Sequence, residues 1–236
     1  MSLEQHRCLL HGFLGDSSVW DGSVEGDAVA LPGHRGGVLV APTWAENVEL
    51  MAERVHGCDV VIGYSLGARV ALGLLAIGAV PRAVLISANP GIEDHARDAS
   101  DARHDTRGVR RASDRAWATR FRTEPLGDVL DAWEAQPLFA TQSRVAPDVL
   151  ARRRVRRLQL DGEQLAQSLE AMGLAEMPDY RAVIDERCTF VVGAEDAKFL
   201  AIARGLGAPL HLIDQCGHDP LLEQPAALAK VLASLT

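Results

Sequence analysis

The chain has 236 residues, 47% of them hydrophobic, which is ample for one globular core of the length that single α/β domains commonly reach. A formal net charge of −8 argues against a general surface for nucleic acid or anionic membrane. Residues 1–7 carry no apolar run of the signal-peptide kind, and no stretch approaches the ~18 apolar residues of a spanning helix, so a cytoplasmic protein without membrane insertion is expected.

In chain order, short apolar runs alternate with longer helical patterns, the signature of a mostly parallel sheet flanked by helices. Strands are predicted at 8–10, 27–30, 60–62, 83–87, 189–192 and 210–213, and helices at about 45–55, 66–77, 199–206 and 226–235. Pro225 suits the first turn of the last helix, where its missing N–H would be unpaired anyway. Between 91 and 178 strand-like runs vanish, and Arg, Asp, Ala and Trp recur at helical spacing. That stretch reads as a helical cap inserted into a core formed by residues 1–90 and 179–236. The four cysteines, Cys8, Cys58, Cys188 and Cys216, are scattered, with no C-x-x-C pair and no histidine at ligand spacing. Buried structural thiols and no metal are the expectation, with Cys216 close to whatever His218 does.

Residues 60–69 read as a buried Val/Ile strand, then Gly63-Tyr64-Ser65-Leu66-Gly67, then an Ala/Leu helix. A nucleophile held on a sharp strand-to-helix turn needs minimal side chains two positions before and two after it. Ser65 is therefore the candidate nucleophile, and the backbone N–H of Leu66, at the helix N-terminus, is a candidate oxyanion donor. The second donor is expected from the loop after the first strand, Leu10-His11-Gly12-Phe13-Leu14-Gly15, with the N–H of Phe13 as the candidate. His11 and His34, in Leu31-Pro32-Gly33-His34, are read as loop-shaping residues.

The chain order nucleophile, acid, histidine places the acid after the strand at 189–192 and the histidine after the one at 210–213. Asp196 is preferred over Glu195, and His218 is the candidate base; Asp214 would need its loop to fold back on itself. His6, His56, His95, His104 and His211 lack that context. Cap arginines are expected mostly in solvent or paired with Asp98, Asp101, Asp105 and Asp114, with two or three turned inward. Trp117 is assigned to packing.

These motifs resemble the SHCHC synthases of menaquinone biosynthesis (MenH-type 2-succinyl-6-hydroxy-2,4-cyclohexadiene-1-carboxylate synthases), members of the α/β-hydrolase superfamily. The matching blocks are His11-Gly12-Phe13-Leu14-Gly15 with Leu31-Pro32-Gly33-His34, then Gly63-Tyr64-Ser65-Leu66-Gly67-Ala68-Arg69. In the cap they are Ser113-Asp114-Arg115-Ala116-Trp117, Phe121, Thr123-Glu124-Pro125-Leu126 and Trp133 through Phe139, followed by Ala194 to Phe199 in the acid loop. The chain departs from the pattern at Asn89, where some members have His, and at Glu134, where an aromatic is common. The resemblance implies an α/β-hydrolase fold, a Ser65–Asp196–His218 triad, and substrate contacts at Tyr64, Arg69, Arg110, Trp133 and Arg154. Within the arginine tract, Arg152 or Arg153 could take the place of Arg154. It further implies a small polycarboxylate substrate, elimination of pyruvate from an enolpyruvyl ether, and no metal or organic cofactor. A hydrolase acting through an acyl-Ser65, or a ligand-binding receptor with a degenerate pocket, would share the same core.

Overall fold

The computed structural model describes residues 5–93 and 107–235. Its centre is a six-stranded, wholly parallel sheet in the order β2-β1-β3-β4-β5-β6, with β1 Arg7–Leu10, β2 Asp27–Val29, β3 Val60–Tyr64, β4 Ala83–Ile86, β5 Cys188–Gly193 and β6 Leu210–Ile213. β3 and β4 are buried at every position, as strands covered on both faces must be. The two-residue pleat sorts their side chains. Val61, Leu85 and Phe190 pack toward one layer, with α1 (Trp44–Arg54) and α2 (Leu66–Ala76). Ile62, Ile86 and Val191 pack toward the other, with Trp20, α8 (Pro220–Glu223) and α9 (Pro225–Ser234).

The helices start where local chemistry allows. Thr43 and Glu46 form a reciprocal capping box at the head of α1, satisfying two otherwise orphaned donors. Pro225 occupies the first turn of α9. α7 (Ala197–Arg204) begins two residues earlier than its apolar pattern suggests, because the Asp196 side chain accepts from the Phe199 N–H and caps it.

Between β4 and β5 lie α3 (Arg107–Thr123), α4 (Leu126–Glu134), a 3₁₀ segment at Pro137–Arg144, α5 (Pro147–Arg157) and α6 (Gly162–Met172), with no strand among the described residues. Phe121, Val129, Leu130, Leu165 and Leu169 form their own apolar cluster, and Leu14 of the core loop is inserted into it. His95, His104, Asp98, Asp101 and Asp105 lie outside the described residues.

Only two of the four cysteines are the buried thiols expected of all four. Cys8 and Cys58 are joined as a disulfide across 50 residues, and Cys188 and Cys216 are buried free thiols. The pairing is non-local: β1 pairs with β3, and that register carries Cys8 to the loop just before β3.

Candidate active site

The carboxyl ends of β1, β3, β4, β5 and β6 open onto one cavity of about 630 Å³ beneath the inserted helices. Ser65 stands at its floor with φ 51° and ψ −105°, a left-handed conformation for a residue with a side chain. Such a position costs on the order of 1–3 kcal/mol unless its surroundings enforce it. They do. The Ser65 N–H donates to the Ile86 carbonyl at 2.9 Å, and the Gly67 N–H donates to the His11 carbonyl at 3.1 Å. A Cβ on Gly67 would collide with the carbonyls of Leu10 and His11, and one on Gly63 with the backbone of Gly67. The turn therefore brings the helix so close to two strands that glycine is required at both positions.

Ser65 Oγ lies 3.2 Å from His218 Nε2, and His218 Nδ1 lies 2.7 Å from Asp196 Oδ2. Both members of the second contact are buried, so the carboxylate fixes the ring orientation and favours a proton on Nδ1, leaving Nε2 free to accept from Ser65. The His218 loop is clamped in turn. Glu223 accepts from the N–H groups of Gly217 (2.8 Å) and Asp219 (3.2 Å), on either side of the histidine. Phe199 packs 4.4 Å from the imidazole, centroid to centroid. Glu195 is elsewhere, exposed and paired with Arg144.

Next to Ser65, the backbone donors divide into used and unused. Leu14 N–H donates to His34 Nε2, Gly15 N–H to the Gly12 carbonyl and Gly67 N–H to His11. Among the described residues no acceptor meets the N–H of Phe13 or of Leu66, and both residues line the cavity. Two histidines hold this loop from below. His11 bonds the Gly12 carbonyl through Nδ1 and accepts from Leu31 N–H through Nε2, and His34 bonds the Pro32 carbonyl. Burial brings the His11 imidazolium down to about 4 and, with His11 beside it, His34 down to about 3, so both are neutral near pH 7.

The cavity wall is basic and aromatic. Tyr64, Arg69, Arg110 and Trp133 all line it. Arg69 donates to the Met172 carbonyl at 2.9 Å and has no carboxylate partner among the described residues. Burial, and the neighbouring Arg110, bring its guanidinium down to about 9, still charged at neutral pH. Arg110 is held by the buried Asp114 at 2.7 Å. Trp133 sits 5.0 Å from Phe13 and 4.9 Å from Trp117, centroid to centroid.

Arg154 does not join them. It bonds the Gly127 carbonyl at 2.7 Å and Asp131 at 2.8 Å, away from the cavity. Successive residues of a helix are turned by about 100°, so the inward face of α5 carries Arg153, Arg156 and Arg157 instead. Arg153 is buried and donates to Gln142 at 2.8 Å, with Glu134 and Asp219 each 3.9 Å away. Arg157 pairs with Glu134 at 2.7 Å. The acidic residue after Trp133 is thus the counter-ion of two cavity arginines. Asp219 was missed from sequence: it lines the cavity beside His218, and burial pushes its carboxyl above the usual range. Only its place next to the candidate histidine could have signalled it.

A strained serine on a strand-to-helix turn, lined up with a histidine and a carboxylate at the carboxyl edge of a parallel sheet, defines the α/β-hydrolase class. The model of the "Alpha/beta hydrolase family" matches residues 9–231. The 2-succinyl-6-hydroxy-2,4-cyclohexadiene-1-carboxylate synthase of Klebsiella pneumoniae subsp. pneumoniae is 36% identical over 95% of this chain and 92% of its own. The like-named protein of Escherichia coli O139:H28 is 34% identical over 96% and 91%. Among solved structures, MenH from S. aureus superposes with a TM-score of 0.85 at 23% identity, covering 99% of this chain and 94% of that one. The enol-lactonase of Burkholderia xenovorans LB400 follows the same fold with a TM-score of 0.75 at 21% identity, over 99% and 91%. The chain belongs to the SHCHC synthase family within the α/β hydrolases.

Proposed function

We propose that this chain is the lyase of menaquinone biosynthesis that forms SHCHC by eliminating pyruvate from 2-succinyl-5-enolpyruvyl-6-hydroxy-3-cyclohexene-1-carboxylate. The observation that carries the reading is the convergence of Arg69, Arg110 and Arg153 on the cavity above Ser65 in a chain of net charge −8. An acidic protein concentrates guanidinium groups in one cavity when the ligand brings carboxylates to meet them. The relatives of the same name, matched over nearly the full chain, support it.

In this mechanism Ser65, Asp196 and His218 are the catalytic residues. His218 Nε2 draws the proton from Ser65 Oγ, which removes the ring proton made acidic by the succinyl ketone. Charge developing on the ketone oxygen is met by the N–H groups of Phe13 and Leu66. The C–O bond to the enolpyruvyl group breaks as the second ring double bond forms, and the departing enolate takes up the proton from His218 to become pyruvate. The arginines bind the carboxylates, so that affinity remote from the reacting carbon places its proton beside Ser65. Tyr64 and Trp133 wall the ring. Residues 91–178 act as a cap over a core of 1–90 and 179–236, and the substrate is a small polycarboxylate met in the cytoplasm, with no cofactor.

A lactate-dehydrogenase-coupled assay of pyruvate release from the purified chain, followed alongside diene absorbance, tests the proposal. Stoichiometric appearance of both products is the expected result. Ester hydrolysis without pyruvate release would put the acyl-serine hydrolase in its place, since a Ser65 Oγ held by His218 beside two unused N–H donors suits that chemistry equally.

A further inference from the structure

At the amino end of the sheet, opposite the carboxyl edge that holds Ser65, three separate chain segments bring donor side chains together. His6 and Cys8 lie two residues apart, so they share one side of the chain entering β1. Cys58 comes from the loop before β3, and Asp27 is the register neighbour of Cys8 at the start of β2. A ring nitrogen of His6 and the Sγ atoms of Cys8 and Cys58 all lie within 4.8 Å of one another. Nε2 is 4.0 Å from Cys58 Sγ and 2.8 Å from Asp27 Oδ2. The other ring nitrogen, Nδ1, is 3.1 Å from the Gly57 carbonyl.

A disulfide between Cys8 and Cys58 needs neither an imidazole nor a carboxylate beside it. A metal ion would use the imidazole directly as a ligand. Two thiolates and an imidazole make a three-donor set of the kind that selects zinc over magnesium or calcium, and Asp27, 2.8 Å from Nε2, is the carboxylate at hand for a fourth position. Around a tetrahedral zinc ion with bonds of about 2.0–2.3 Å, neighbouring donor atoms stand about 3.3–3.8 Å apart. The Cα atoms of Cys8 and Cys58 are 6.1 Å apart, so rotation of the two side chains reaches that spacing with the backbone in place. The Gly57 carbonyl supplies the outer contact that normally orients a ligating histidine, accepting the Nδ1 proton, while Nε2, which in the disulfide form donates to Asp27, takes up the ion by giving its own proton up. Cys8 and Cys58 are buried, while His6 and Asp27 reach solvent and give the ion a way in.

We propose that, in its dithiol form, the His6–Cys8–Cys58–Asp27 cluster is a binding site for a zinc-class divalent cation. Opening the disulfide takes two electrons and two protons from a dithiol or phosphine reductant, which is itself oxidised, and yields two thiols. Capture of the ion releases both thiol protons, and the Nε2 proton that Asp27 accepts, to solvent. Redox state then decides whether these two segments are joined by a covalent bond or by a metal.

The test uses the full chain, reduced with a phosphine under anaerobic conditions, with free thiols counted before cobalt(II) is titrated. One cobalt per chain is expected, with a thiolate-to-cobalt charge-transfer band and tetrahedral visible bands, displaced by zinc. The disulfide form should show none of this, and Cys58→Ser should lose the charge-transfer intensity. His6→Gln and Asp27→Asn alter exposed side chains and keep the test independent of folding. Each should weaken binding ~10-fold or more, the loss that even outer contacts of a metal site produce. Three results overturn the proposal. One is free thiols without a cobalt spectrum, and another is unchanged affinity in both His6→Gln and Asp27→Asn. The third is a Cys8–Cys58 bond that resists the reductant in the folded protein.

Discussion

At the scale of single residues, the strongest constraint is that Ser65, His218 and Asp196 form one hydrogen-bonded line. Groups that share a proton do not fail independently. Ser65→Ala and His218→Ala should each remove most pyruvate-releasing activity, ~10³-fold or more, and the double variant should be little worse than either. Steady-state kcat/KM on the three proteins checks this, and additive losses would contradict the relay. A second residue-scale consequence comes from His11 and His34. Their folded-state values of about 4 and about 3 lie below the ordinary 6.5, so folding favours the neutral form. The stability this contributes is complete above pH 6.5 and is lost as pH falls through 4 toward 3. Thermal unfolding midpoints should therefore drop progressively below pH 6.5. His34→Gln, though less stable throughout, should show a shallower decline; an equally steep one would assign the acid sensitivity to other groups.

At the scale of elements, legibility tracks how local the information is. The strand–turn–helix at 60–76 is written in contiguous residues, and β3 and α2 fall where the pattern puts them. The predicted strand at 83–87 ends one residue early, because Ser87 takes φ 50° where the chain leaves the sheet. The pairing of Cys8 with Cys58 was illegible, since it depends on which strands become neighbours. So was the face of α5. In the tract Arg152-Arg153-Arg154-Val155-Arg156-Arg157 every rotation of the helix offers an arginine, and hydrophobic periodicity cannot choose among them. Packing decides, and it turns Arg153 inward and Arg154 toward Asp131. Arg153→Ala should accordingly lower kcat/KM for the enolpyruvyl substrate by ~10²-fold, about 2.7 kcal/mol, because a carboxylate of the substrate and the counter-ions Asp219 and Glu134 are left short of a cation. Arg154→Ala, removing an ion pair whose carboxylate is largely exposed, should change it less than ~3-fold. The reverse ranking in side-by-side kinetics would restore the reading made from the sequence.

Over the whole molecule, charge is distributed against its own average. The chain carries −8 overall, and several arginines of the inserted helices are spent on surface pairs such as Arg111–Glu176, Arg120–Glu124 and Arg122 with Glu163 and Glu170. Within the cavity the balance differs. Arg110, Arg153 and Arg157 have protein carboxylates beside them, whereas Arg69 is half-buried, with backbone, sulfur and Trp44 ring contacts and no carboxylate partner among the described residues. A guanidinium partly withdrawn from water without an ion-pair partner costs stability that a bound carboxylate would recover, so Arg69 is where substrate charge should matter most. Arg69→Ala leaves the Ser65–His218–Asp196 line and the Phe13 and Leu66 donors in place. It should depress kcat/KM for the polycarboxylate by ~10²-fold or more, while turnover of a small neutral ester, if any is detected, changes by less than ~3-fold. The same substitution should raise the unfolding midpoint of the unliganded protein or leave it unchanged, because the partly desolvated charge goes with the side chain. Pyruvate release and chromogenic ester cleavage can be followed on one preparation. Equal losses in both would mean that Arg69 supports the catalytic floor rather than the substrate's carboxylates. Unchanged rates in both would mean that the cavity's positive charge serves a purpose other than holding a polyanion.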